Sequence, residues 1–203
     1  MSEQPLTIEP DMRDGSKTKE LIGRAALTLF VEKGIAETTI RDIAREAGVA
    51  EGAMYRHFES KDALAWELFS QNFTSLALDL ERLQERHQTA RAKIEAMTRQ
   101  FYAFFDSDPV MFSYLLLAQH DQFKKITPEM PSPVRALRQV IEAGMARGEI
   151  PARDPNLATA MIMGLVLQVA TFKIYGGIDQ SLSSLSGTLF EACWRVLAGV
   201  GSG

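Results

Sequence analysis

The chain is short of the residues on which most metal, redox and covalent chemistry rests. It has one cysteine and three histidines in 203 residues. A single cysteine excludes an intrachain disulfide and fits a reducing compartment. Cys193 stands beside Trp194 in an apolar helical stretch, the setting of a buried, inert thiol. The residues three before His57, His87 and His120 are Met54, Gln84 and Leu117, so the inward Glu-x-x-His pairs of di-iron bundles are missing. Missing too are a phosphate-binding glycine loop, a G-x-S-x-G elbow and an H-E-x-x-H helix. The expectation is a protein that is not an enzyme and uses no metal or cofactor.

Large charge excess is absent as well. With 22 Lys and Arg against 26 Asp and Glu, the net charge of −4 argues against indiscriminate binding to nucleic acid. The first residues hold Pro5, Pro10, Asp11 and Asp14 and no apolar h-region, so no secretory signal is expected. The longest apolar stretch, Leu157 to Phe172, is interrupted by polar residues and falls short of the roughly 20 that span a bilayer. We therefore expect a cytoplasmic protein with no membrane segment.

What is present is an ordinary globular composition, 46% hydrophobic and 24% charged, patterned at the helical period throughout. The most informative stretch is TIRDIAREAGVAEGAMYRHFESK, Thr39 to Lys61. Ile40, Ile43, Ala44 and Ala47 form one apolar stripe. Thr39 suits an N-cap, with Asp42 reaching back as in a capping box. Gly48 suits a left-handed stop. Val49 plugs the corner, and a short second helix leaves steeply from Ala50 to His57. Met54 and Phe58 alone form its inward side, which leaves Glu51, Gly52, Ala53, Tyr55, Arg56 and His57 for other faces. Ser60 caps the next helix, which begins at Lys61. On these residues alone, a DNA-reading helix-turn-helix and a scaffolding corner stand about level.

The fuller string TTIRDIAREAGVAEGAMYRHFESKDAL closely resembles the N-terminal DNA-binding domain of the tetracycline-repressor (TetR) family of bacterial transcriptional regulators. The preceding KTKELIGRAALTLFVEKG is similar to that family's first helix. The resemblance is specific over residues 17 to about 65 and architectural beyond. It implies that Thr39 touches the DNA backbone, that Arg41 reaches a base, and that Glu51, Gly52 and Ala53 face the major groove. It further implies that Tyr55, His57 and Lys61 hold phosphates and that Arg56 lies near DNA. Ala50 departs from the family's frequent Ser or Thr, so that a capping hydroxyl is lost. From Arg13 to Lys61 nine basic residues meet eight acidic ones, a balance of +1 against −5 for the rest, so a few placed contacts and dimerisation must supply the grip.

The expected architecture is all-α, about nine helices: a mobile lead-in over residues 1–16, a three-helix DNA-binding domain over 17–62, a helical bundle for effector binding and dimerisation over 63–198, and a frayed tail over 199–203. In the first helix Leu21, Ile22, Ala25, Leu29 and Phe30 face the small core, and Gly34 ends it. The helix from Lys61 keeps its stripe through Ala65, Phe69, Phe73, Leu76, Leu80 and Leu83, and so enters the second domain without a linker. Val110 to Ala118, apolar nearly all round, reads as buried. Gly164, inside the helix that Asp154 and Pro155 open, implies a close helix contact. Residues 154–176 and 181–198 resemble the pair of helices through which the family forms a homodimer.

The effector reading rests on Phe69, Phe101, Phe105, Met111, Tyr114, His120 and Met163, an apolar, deformable lining with a polar anchor. The same residues suit plain core packing, and His120 suits an exposed helix end. The leading expectation is a dimeric repressor that binds palindromic operator DNA and is released by a small apolar effector. The alternatives are a DNA-binding protein without small-molecule input, or a helical small-molecule-binding protein or enzyme.

Overall fold

The computed structural model describes residues 12–199, and of residues 12–14 and 119–121 the backbone alone. Among the described residues the regular structure is entirely helical, with nine α-helices and one 3₁₀ turn at Phe123–Lys125. They are α1 (Met12–Glu37), α2 (Ile40–Ala47), α3 (Glu51–His57), α4 (Lys61–Glu85), α5 (Ala90–Ser107), α6 (Pro109–Gln122), α7 (Pro133–Ala146), α8 (Pro155–Ile174) and α9 (Leu182–Ala198). The chain divides into two compact units, Met1–Leu68 and Phe69–Gly203. The division falls inside α4, beyond the expected boundary at residue 62.

The first unit closes on Ile22, Ala26, Leu27, Phe30, Ile43, Ala44, Ala53, Met54, Phe58, Leu64 and Ala65, all buried. Helix α1 begins at Met12 rather than Lys17; the rest of the expected lead-in, residues 1–11, lies outside the described residues. Leu21, expected inward, is 47% exposed, because the buried stripe is centred on Ile22, Ala26 and Phe30 and Leu21 falls a quarter-turn off it. Gly34 ends the regular helix with φ 84, a conformation open to glycine. The buried Thr38 hydroxyl then donates to Gly34 O at 2.8 Å, so the break carries its own hydrogen bond.

In the second unit α5 packs most extensively on α9 and also meets α6 and α7, while α8 packs on α7 and α9. The core joins Ile94, Met97, Tyr102 and Phe105 of α5 to Ile141, Ile162, Val166, Leu182, Phe190 and Cys193. Two carboxylates fasten helix starts. Asp106 accepts from the backbone N–H of Leu182 (3.1 Å) and Ser183 (2.8 Å), and Glu149 accepts from that of Ala90 (2.6 Å). Burial raises the Cys193 thiol to about 11, which agrees with an inert side chain.

Two expectations about individual helices are corrected. Helix α6 buries Met111, Phe112, Ser113, Tyr114 and Ala118 but exposes Val110 and Leu117, so it is covered all round over one turn and opens on either side of it. Helix α8 runs 20 residues and holds an 18-residue window of mean hydropathy 1.8, long and apolar enough by length and composition to cross a membrane. It is nonetheless two-sided. Ala158, Ile162, Val166 and Ala170 are buried, while Leu157, Met161, Phe172 and Tyr175 are exposed. Gly164 lies on the exposed side, and a methyl group added there would meet nothing within 4 Å, so the close contact expected is not made within the protomer.

Candidate nucleic-acid interface and effector cavities

The helix-turn-helix is held by the devices its sequence announces. Thr39 Oγ1 accepts from Asp42 N at 3.1 Å and Asp42 Oδ2 accepts from Thr39 N at 3.1 Å, a complete capping box. Gly48 adopts φ 68, ψ 30, and the N–H groups of Gly48 and Val49 return to Arg45 O and Ala44 O. Asp42 also receives Lys33 Nζ at 2.9 Å, which ties α1 to α2, and Arg45 Nη2 at 2.8 Å. The Lys33 bond first, then those from Thr39, hold the Asp42 carboxyl far below the usual carboxylate range. Helix α3 has no side-chain cap at Ala50, as its sequence foretold, and Ser60 Oγ caps α4 through Ala63 N at 3.0 Å.

The expected DNA-facing residues separate into three groups. Tyr55 (63% exposed), Arg56, Arg41, Glu51 and Gly52 are exposed, and Thr39 and the half-buried His57 flank them. Arg41 Nε lies 3.6 Å from Glu51 Oε1, a loose pair across the turn between two exposed side chains. Ala53 is corrected: it is buried with Met54 of α3 and with the C-cap residue Phe58, so three residues of this segment turn inward rather than two, and its small size lets the helix sit close. Lys61 is engaged elsewhere than expected. Its ammonium donates to Thr38 O at 2.6 Å and Ala36 O at 3.0 Å, carbonyls stranded beyond the kink at Gly34. Two of its three donors are thereby used.

In the second unit a cavity of about 60 Å³ is lined by Phe73 and Leu76 of α4, Phe101, Phe112, Leu115, Leu116, Phe123, Pro133, Val134, Met163 and Leu167. A neighbour of about 50 Å³ shares Phe101, Pro133 and Met163 and adds Leu80, Ile94, Met97, Thr98, Leu137, Ile162 and Val166. A wider recess of about 310 Å³ shares Phe123, Val134, Met163 and Leu167 with the first and adds Arg138, Asn156, Thr159 and Ala160. A polar groove between α4 and α5, about 320 Å³, is lined by Asn72, Ser75, Asp79, Gln100 and Ser107 among others.

Of the expected effector residues, Phe101 and Met163 line these cavities. Phe69, Phe105, Met111 and Tyr114 are buried but line none of them. Phe69 stacks on Phe73 at 5.3 Å and Phe105 meets Phe112 edge-on at 4.9 Å, so both are spent on packing. Burial pushes the Tyr114 hydroxyl well above its ordinary range. The His120 side chain lies outside the described residues. Arg138, Asn156 and Phe123 went unnoticed in the sequence. The one signal was Arg138 falling one helical turn after the apolar Val134, which lines the same recess.

A capped two-helix corner with exposed donors on its short second helix, followed by an apolar helical unit containing cavities, defines a helix-turn-helix DNA-binding protein with a helical companion unit. Residues 22–70 match the bacterial regulatory proteins of the tetR family. The transcriptional repressor KstR2 of Mycobacterium tuberculosis is 31% identical over 146 residues, 66% of this chain and 72% of that protein. The chain belongs to the TetR family. The repressor KstR2 of Mycolicibacterium smegmatis is 32% identical over 112 residues, and there the match spans about half of each protein, 55% of this chain and 52% of the relative. The solved structure of the regulator FadR from Bacillus subtilis, in complex with stearoyl-CoA, superposes with a TM-score of 0.71 over 89% of this chain and 98% of that one, at 22% identity, a likeness of fold. These relatives are regulators of transcription rather than enzymes.

Proposed function

We propose that the chain is a cytoplasmic, dimeric transcriptional repressor that grips an inverted-repeat operator and is released when a small apolar molecule enters its second unit. The observation that carries the DNA reading is the exposed ridge of Tyr55, Arg56, Arg41 and Glu51 on a corner whose opposite side is fully packed. Thr39, Tyr55, His57 and the third donor of Lys61 hold phosphates, while Arg41 and Glu51 address base edges beside Gly52.

Dimerisation is supported by the uncovered side of α8. Leu157, Met161, Gly164, Gln168, Phe172 and Tyr175 are all exposed and recur every three or four residues, one continuous stripe. Gly164 costs about 1 kcal/mol against alanine inside a helix, a cost offset where another helix approaches closely. Gly187 on α9 is open in the same way. A two-fold pairing of α8 and α9 covers this surface and sets the recognition helices about 34 to 36 Å apart or farther by whole turns.

Release is supported by α4, which begins in the first unit and whose later residues Phe73, Leu76 and Leu80 line the cavities. A ligand that enlarges the cavities displaces α4, and Lys61 carries the displacement to the α1–α2 corner. The FadR regulator of similar fold was solved in complex with stearoyl-CoA, which supports a ligand-responsive reading. Selection of duplexes from a random pool tests the function. Enrichment of a dyad-symmetric site is expected, and binding without sequence preference would sink the proposal.

A further inference from the structure

Met163 stands in the wall of all three apolar cavities, and the outermost of them contains a guanidinium. Asn156, Ala160, Met163 and Leu167 share one flank of α8, about a quarter-turn from the exposed stripe, so covering that stripe leaves this flank open. Arg138 faces the recess from α7. Its ion pair, Nη1 to Glu142 Oε1, is a long 3.5 Å, which leaves most of its five N–H donors free for a ligand. Asn156 adds an amide. Inward from these polar groups the walls become Phe, Leu, Ile, Met and Pro, with Thr98 the one polar side chain deep in the path.

The inner voids, about 60 and 50 Å³, are small beside the recess of about 310 Å³. A long alkyl chain gains room there when a side chain swings away. Met163, unbranched and flexible, is the residue shared by every compartment and can do so at little cost.

Resting on the ligand-responsive reading above, we propose that the apolar effector also carries an anionic head and is thus an amphiphile: the head is held at Arg138 and Asn156 between α7 and α8, and a flexible apolar tail runs past Met163 towards Ile94 and Met97. Arginine suits both a carboxylate and a phosphate, in fork geometry. The head therefore belongs either to a free carboxylate or to a phosphorylated carrier joined to the tail as a thioester. A neutral chain would leave Arg138 with only its long ion pair to Glu142.

Calorimetry on the DNA-free protein with decanoate, decanoyl-CoA and decan-1-ol tests the proposal. At least one of the anionic ligands should bind ten times or more tightly than decan-1-ol, and which one does identifies the head. Arg138→Ala should abolish that preference while leaving decan-1-ol unchanged. Met163→Trp should weaken all three, and Met163→Ala, which cannot plug the path, should tighten them. Equal binding of all three ligands to the wild type would overturn the proposal, and so would a preference that survives Arg138→Ala. Operator release, measured separately by anisotropy, keeps the readings apart. Binding without release refutes the regulator mechanism and leaves the site standing, whereas release by decan-1-ol as effective as by either anion refutes the site alone.

Discussion

Replacing Lys61 by methionine removes an ammonium and keeps an apolar stem of similar length. That ammonium donates to Thr38 O and Ala36 O, at 2.6 and 3.0 Å, where the chain leaves the kink at Gly34. A hydrogen bond to a charged group contributes about 1.5–3 kcal/mol when shielded, and Lys61 is only half-buried, so the two bonds together are worth about 2 kcal/mol. In a domain of this size about 1 kcal/mol moves the melting midpoint by several degrees, so the DNA-binding unit should melt about 5–10 °C lower in Lys61→Met. Circular dichroism on heating reads that shift. Binding to operator and to random DNA across a salt series, well below the melting range, reads the other role. If the third donor reaches a phosphate, both affinities weaken alike and the salt slope falls by about one. An unchanged midpoint would refute the reasoning, because the ammonium would then be contributing nothing where the structure places it.

Other outcomes follow from the same geometry. Arg41→Ala or Glu51→Ala should narrow the gap between operator and random DNA by roughly 1–3 kcal/mol, and because the two side chains pair at 3.6 Å the double variant should lose less than the sum of the singles; strict additivity would show the pair to be incidental. Met161→Lys places a charge in the middle of the exposed α8 stripe and should turn a sedimenting dimer into a monomer without lowering helicity; a dimer that persists would move the interface elsewhere. Acid should weaken the DNA-binding unit through Asp42, whose folded carboxyl, held first by Lys33 and then by Thr39, titrates below its unfolded value. Its contribution is therefore complete above about pH 5 and lost as pH falls below about 4, so Asp42→Asn should be less stable at neutral pH yet show a shallower acid decline, and parallel declines would contradict this. Cys193, buried and raised to about 11, should resist thiol reagents in the folded protein at neutral pH; rapid labelling would show the α5–α9 packing to be loose.

The sequence by itself determined the local grammar of this protein. Thr39 with Asp42, Gly48, Gly34, Ser60 and Asp154 with Pro155 mark helix limits through bonds made within a few residues, and such short-range chemistry needs no knowledge of the fold. Helical periodicity likewise disclosed α4 and its core stripe. The tertiary structure alone decided what each side chain spends itself on. Periodicity places Leu21 and Ala53 to within a quarter-turn, and burial turns on that margin, so Leu21 went outward and Ala53 inward. Lys61 looked like a free cation because its carbonyl partners lie 23 and 25 residues away. The apolar residues of the second unit looked alike, since composition cannot tell a packed phenylalanine such as Phe105 from one beside a void such as Phe101. Arg138 at the mouth of those voids carried almost no signal, because a recess formed where α7 meets α8 exists only once distant helices are brought together.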